Sequence, residues 1–336
     1  MNNSRILIDV KLQPSIGSRF QPTGFPDLGH AEFLRPIDSG TENCLLVESP
    51  QSMANHLEGT AWDDAANAPV DLFDGMPYVR VLRSEEGDYL TSSRTEAHRL
   101  ASAFVKGSSL GGESMVDVIR DRLGLRPDTP IDHRRIARAL FQLDPFVLLH
   151  GVFFADKQWP GQPKIARAVS SFIEASGVLR ADSGGVKKDA VRHSIGEDSG
   201  GSSEGYGTVP FARTEWSARE IVASFNIDRK QIYSYGLGAA ATALLENIAL
   251  WEIRTLLDDG LRLRTACDLA IVGDDIVDRS SSTIASADEL AQRIRQGINE
   301  VGELLGRGEA INVVWDGGKK QKKAGSAPAS EGEADA

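Results

Sequence analysis

Between Leu45 and Glu58 the chain reads LLVESPQSMANHLE, an apolar strand that runs through a proline into a helix. A helix start leaves backbone N–H groups without intrahelical partners and carries partial positive charge, so it can hold an anion. Ser49 is placed to cap this helix, and Pro50 suits its first position. Gln51 and Ser52 add side-chain donors in the first turn, and Asn55 and His56 follow one turn later, within reach of a bound anion. The same residues also describe an ordinary capped helix without a ligand, because such caps are common. Two other spacings suggest chemistry. Gly236, Gly238 and Ala241 match G-x-G-x-x-A ahead of a helix, the turn of a dinucleotide-dependent enzyme, but no alternating strand and helix units follow. Asp274, Asp275 and Asp278 in IVGDDIVD could build a two-metal cluster, yet no third acidic element joins them, and a surface turn is the simpler reading. No Walker lysine loop and no H-E-x-x-H occurs, and none of the six histidines pairs at i, i+3 or i, i+4. Neither a metal nor a cofactor is expected.

The elements that position these residues belong to a chain of 336 residues with 41% hydrophobic content, enough for a sizeable core in one elaborated domain or two. No apolar run approaches the roughly 18 residues of a membrane helix, and MNNSRILIDV lacks a signal-peptide pattern, so no membrane partner and a cytoplasmic location are expected. Cys44 and Cys267 sit singly in apolar contexts and read as buried thiols. The net charge of −11 counts against indiscriminate nucleic-acid binding, though it leaves room for a local basic groove.

RILIDVKLQP alternates as a half-buried strand, and SIGSRFQPTGFPDLG follows as a loop with Arg19, Phe20 and Phe25 reading as exposed. Residues 60 to 130, with the strand-like PYVRVL, read as an insertion carrying its own short elements. IDHRRIARALFQL has helical spacing, one apolar face and one basic face, and the basic face is more commonly solvated than bound to RNA. FVLLHGVFFA reads as a buried strand, while KIARAVSSFIEA fits helix or strand. Residues 181 to 207 turn Gly- and Ser-rich behind Lys187 and Lys188, a composition that does not pack a core: a linker, or a hairpin ordered by a partner. Strand, turn and strand follow over residues 209 to 235, then an apolar helix over 238 to 257, a closing strand in RLRTACDLAIVG and a helix in SADELAQRIRQGINEVGELLG. The last residues, 317 to 336, have the composition of a disordered tail.

Six blocks in order, RFQPTGFPDLG, LLVESPQSMANHLE, SFIEASGV, SGGVKKD, VPFARTEWSAREIVASFNID and RLRTACDL, resemble the RAMP-superfamily backbone subunit of type I CRISPR effector complexes in the I-G (formerly I-U) variant. The resemblance covers residues 5 to about 272. It implies an α+β fold with a ferredoxin-like, RRM-type core, finger-like and thumb-like insertions, and residues 1 to 316 as a single RAMP domain. It implies no catalysis and four kinds of partner: crRNA, target DNA paired to the guide, copies of the chain in a head-to-tail filament, and other effector subunits. Sequence would then be read by the guide while the protein grips backbone and shape. Ser49, Gln51 and Ser52 stand where relatives bind RNA phosphate with an S-x-Q-S-like turn. Asn55 and His56 replace the Lys or Arg frequent in relatives, leaving hydrogen bonding rather than a charged clamp. Residues 181 to 211, with Lys187 and Lys188, match the thumb, and Arg213 lies just beyond. Arg19 and Phe20 would add a backbone contact and a stacking or subunit-packing surface.

Overall fold

Alternating strands and one long apolar helix dominate the chain in a computed structural model that describes residues 4–25, 29–84, 87–188, 208–273, 276–306, 308–315 and 317, with the backbone alone at 25, 187, 188 and 208–210. In chain order the elements of the main layer are β1 (Arg5–Pro14), β2 (Glu32–Ile37), β3 (Gly40–Glu48), α1 (Pro50–Gly59), α2 (His133–Leu143), β4 (Val169–Ser176), β5 (Leu179–Lys188), β6 (Thr208–Ser217), β7 (Glu220–Asp228), α3 (Ala239–Asp258), β8 (Leu261–Arg264), β9 (Cys267–Ile271) and α4 (Ala287–Val301). Seven of them form one sheet in the order β8-β9-β1-β7-β4-β3-β2, with every pair antiparallel. Its inner strands β9-β1-β7-β4 stand fourth, first, third and second along the chain, the order of a split β-α-β-β-α-β arrangement. The fold is α+β, as expected.

Period-two burial explains this sheet. In β7, Ile221, Ala223, Phe225 and Ile227 face the core while Glu220, Val222, Ser224, Asn226 and Asp228 are half-buried on the other side. Ile8, Val10 and Leu12 of β1 join the same core. α1 and α3 lie against each other and against this face, and α4 packs on α3. α4 starts at Ser286 with a full capping box to Glu289.

Residues 60 to 130 do carry their own elements, including the expected strand Tyr78–Leu82. That strand belongs to a second sheet of five strands and pairs in parallel with Ala310–Trp315, a partner the sequence reading had passed over. One buried apolar cluster runs through both sheets.

Several expectations need correction. Residues 146 to 153 form a short helix, Val147–His150, and a two-residue strand, Val152–Phe153, rather than one strand. Residues 146 to 149 are fully enclosed, so they show no periodicity that separates helix from strand. The ambiguous segment before Gly177 is a strand, β4. The expected closing strand is a hairpin, β8 and β9, turning at a left-handed Ala266 with φ 59°. Gly236 and Gly238 follow a short helix, Arg229–Ser234, instead of a strand, so the context of a dinucleotide-binding turn is missing. Cys44 and Cys267 are buried free thiols, as read. Asp274 and Asp275 lie outside the described residues, and Asp278 accepts the Ser280 and Ser282 N–H groups in a local turn.

Candidate nucleic-acid interface

Strand β3 ends at Glu48, and α1 begins at Pro50, with Ser49 alone between them. Ser49 is extended (φ −79°, ψ 156°), and its Oγ accepts the Ser52 N–H at 3.3 Å, so the expected cap is present. Met53, Ala54, Leu57 and Glu58 form the buried stripe of α1. The i, i+4 geometry therefore turns Gln51 and Asn55 outward, with Ser52 and His56 half-buried beside them. Burial pulls the His56 pKa below its ordinary value, which favours a neutral imidazole rather than a cation. Sequence reasoning thus located a row of neutral hydrogen-bonding groups on one face of the helix.

Two arginines that the sequence reading did not select complete the electrostatics. The first turn of α1 contains no acidic side chain, but Glu48, fully buried, directly precedes Ser49. Arg264 forms an ion pair with Glu48 and also donates to the Gln21 and Val47 carbonyls at 3.2 Å each. The Glu48 charge is thereby compensated and does not oppose an anion at the helix start. On the other flank Arg167 donates to the Pro50 carbonyl at 3.2 Å. Burial pulls the Arg167 pKa down, helped by the nearby Arg99 cation and resisted by Glu58, but a guanidinium stays charged through such shifts. The signals were faint: an arginine just ahead of β4, and an alternation of Leu and Arg in β8.

A buried polar seam lies close to Arg167. Arg99 donates to Glu58 through Nε at 2.6 Å and to the Gly151 carbonyl at 3.2 Å. Arg94 pairs with Asp144 at 2.7 Å and lies 3.4 Å from the centre of the Phe146 ring, while His150 Nε2 meets the Glu252 carboxylate at 3.0 Å. Gly151 has φ 80°, and a Cβ there would stand 2.8 Å from the Ile165 carbonyl oxygen and 3.1 Å from the Arg167 nitrogen. Only glycine fits that close approach.

Strands β5 and β6 form a two-stranded ribbon over ten residues each, from Leu179 opposite Ser217 to Lys188 opposite Thr208. The ribbon is roughly 30 Å long. Leu179, Val186 and Phe211 are exposed on it, and the Phe211 ring lies over Gly185. Lys187 and Lys188 close its far end in backbone pairing, but their side chains, and residues 189–207, lie outside the described residues.

At the foot of this arm the structure brings Arg19 and Arg213 together. Both pair with Glu215, at 3.2 and 3.0 Å. Phe20 is a correction: it is 1% exposed, bonded through N–H and C=O to Trp216 at 2.9 and 2.8 Å, so it anchors loop 15–25 in the core and its ring cannot stack on a base. The path therefore runs from the arm foot, past Arg264, to the start of α1. Among the described residues no group of His, Cys, Asp or Glu could hold a metal, and no helix is long and apolar enough to cross a membrane.

No curated protein sequence matches the chain. Two solved structures are similar over most of its length: a chain of a structure described as "CRISPR RNA-guided surveillance complex, pre-nicking", 14% identical, covering 90% of this chain and 88% of that one at a TM-score of 0.38, and Csc2 from Thermofilum pendens, 8% identical, covering 90% and 80% at 0.32. The assignment rests instead on a sequence model, that of CRISPR-associated protein GSU0053, which matches residues 6–180, just over half of the chain. The protein belongs to this CRISPR-associated family.

Proposed function

We propose that the protein is a non-catalytic crRNA-binding backbone subunit of a type I CRISPR effector complex, of the I-G kind, whose copies line up along the guide and support its pairing with target DNA. The observation that carries this reading is the start of α1 in a CRISPR-associated chain: a Ser49-capped helix end without acidic side chains, with Gln51 outward and Arg167 and Arg264 on its flanks. A helix start of this kind suits a phosphate oxygen. The arm supports the reading as well. A two-stranded ribbon is marginal by itself, and its exposed Leu179, Val186 and Phe211 suit contact with a partner. Edge strand β2 is exposed along its whole length and presents Phe33, Leu34 and Ile37, a surface for a neighbouring copy. An isologous contact would stop at a dimer, whereas a head-to-tail contact that does not close continues along the guide.

The test is to express the full chain with a CRISPR array and its neighbouring effector subunits. The expected product is a large particle that carries a discrete small RNA. A nucleic-acid-free monomer under those conditions overturns the proposal. The reading of Gly236 and Gly238 as an enzyme's dinucleotide turn is set aside, because a short helix and not a strand runs into them.

A further inference from the structure

Beside the start of α1 lies an open cleft of about 500 Å³, bounded by loop 15–19, the foot of the arm and the turn between β8 and β9. Arg19, Arg262, Arg264, Glu215 and Asp268 supply its charges. Most of them are engaged. Arg19 and Arg213 share Glu215, Arg264 holds Glu48, and Asp268 accepts a hydrogen bond from the Ser15 hydroxyl at 3.0 Å. Arg262 differs. It is exposed, and although Asp268 sits opposite it in the β8–β9 ladder, no carboxylate among the described residues comes within ion-pair distance of its guanidinium. Four arginines and three carboxylates, Glu48, Glu215 and Asp268, thus meet in and beside the cleft, a local excess of one positive charge in a chain of net charge −11, and Arg262 is the one of the four with no carboxylate at ion-pair distance among the described residues.

We propose that this cleft binds a backbone phosphate of single-stranded RNA, with Arg262 as its ligand. The inference rests on the RNA-binding reading of the α1 start and adds a second contact of a different physical kind. Gln51 and Ser52 offer neutral hydrogen bonds, whereas a guanidinium on phosphate is bidentate, charge-assisted and releases a counterion. A single phosphate matches the single surplus charge. Because Arg264 lines the cleft and also holds Glu48 beside Ser49, one strand can reach both contacts without leaving the surface.

The different physics makes the contact separable. For a single strand, each phosphate neutralised adds about 0.7 to the slope of log affinity against log salt. Binding of a labelled single-stranded RNA of mixed sequence to the full chain is measured across a salt series for wild type, Arg262→Gln, the Gln51→Ala/Ser52→Ala pair and Arg83→Gln. Arg83 is an exposed arginine next to the second sheet and controls for net charge. Arg262→Gln should weaken binding at low salt by roughly threefold to tenfold and lower the slope by about 0.7 per bound subunit, with an unchanged melting temperature. The Gln51/Ser52 pair should weaken binding at an unchanged slope, and Arg83→Gln should do neither. If wild type binds RNA while Arg262→Gln keeps its affinity and slope, or if Arg83→Gln loses as much, the cleft assignment falls and the α1 reading stands. A loss seen only with a DNA strand of the same sequence assigns the cleft to the paired strand and also overturns the proposal. If wild type binds no RNA at any salt, the RNA-binding reading fails and takes this one with it.

Discussion

Replacing Gln51 and Ser52 together by alanine should remove RNA and leave the fold intact. Gln51 is exposed and Ser52 half-buried, and neither belongs to the buried stripe of α1. Alanine is the better helix former at both positions, so the change in stability should stay within about 0.5 kcal/mol. Two neutral hydrogen bonds to a phosphate contribute about 1 to 3 kcal/mol per subunit, which corresponds to a loss of affinity of about 5- to 150-fold. The loss repeats in every copy along one RNA. Ser49→Ala is the contrasting variant. Its Oγ caps the Ser52 N–H at 3.3 Å, the long end of a hydrogen bond, so its removal should cost about 0.5 to 1 kcal/mol of stability. The assay compares RNA retained after purification with melting temperature for both variants. If the double variant keeps its RNA at moderate salt, or loses RNA only as far as its melting temperature falls, the helix start is a cap and nothing more.

Phe20→Ala should destabilise the protein by about 3 to 5 kcal/mol, because it empties a fully enclosed site against Trp216; denaturant titration measures it, and lost RNA binding without lost stability would return Phe20 to the surface. Gly151→Ala should lower stability by about 1 kcal/mol or more, since it forces a left-handed alanine against the Ile165 carbonyl next to Arg167; a melting temperature at or above wild type refutes the close approach. Burial pulls the His150 pKa down, but Glu252, with Glu58 further away, outweighs burial and the Arg99 cation and leaves the pKa raised. A raised folded-state pKa means that the stabilisation is full below the unfolded value of about 6.5 and is lost as pH rises through the folded one. Melting temperature should therefore fall as pH rises above about 6.5, and His150→Gln should flatten that fall; an identical pH profile for the two proteins contradicts it.

The parts of this account that were legible in the sequence are those whose cause is local. Ser49, Pro50 and the outward pair Gln51 and Asn55 follow from cap chemistry and the helical period within one turn of chain. β1 and β7 announce themselves by strict alternation, and α4 by its capping box. What was missed depends on contacts between distant residues. Phe20 looks like a loop aromatic until Trp216, nearly 200 residues on, pairs with its backbone. The strand Ala310–Trp315 finds its parallel partner at Tyr78–Leu82, a pairing with no turn between the two to announce it. Arg167 and Arg264 acquire meaning only when the Pro50 carbonyl and Glu48 are carried to them by the sheet. Arg19 and Arg213, selected singly as contacts, turn out to share one carboxylate, and Arg262 lines the same cleft without an ion-pair partner among the described residues.

Whether identical copies hold one guide RNA side by side is tested most directly by a chemical footprint of the bound guide. The full chain is purified with its array and partner subunits, and the guide is probed with hydroxyl radicals. Repetition of one contact set, built on the α1 start in every copy, predicts protections that recur at a constant spacing along the guide and weaken together in the Gln51→Ala/Ser52→Ala variant. A single protected patch, or a uniform pattern that the variant leaves unchanged, contradicts the account.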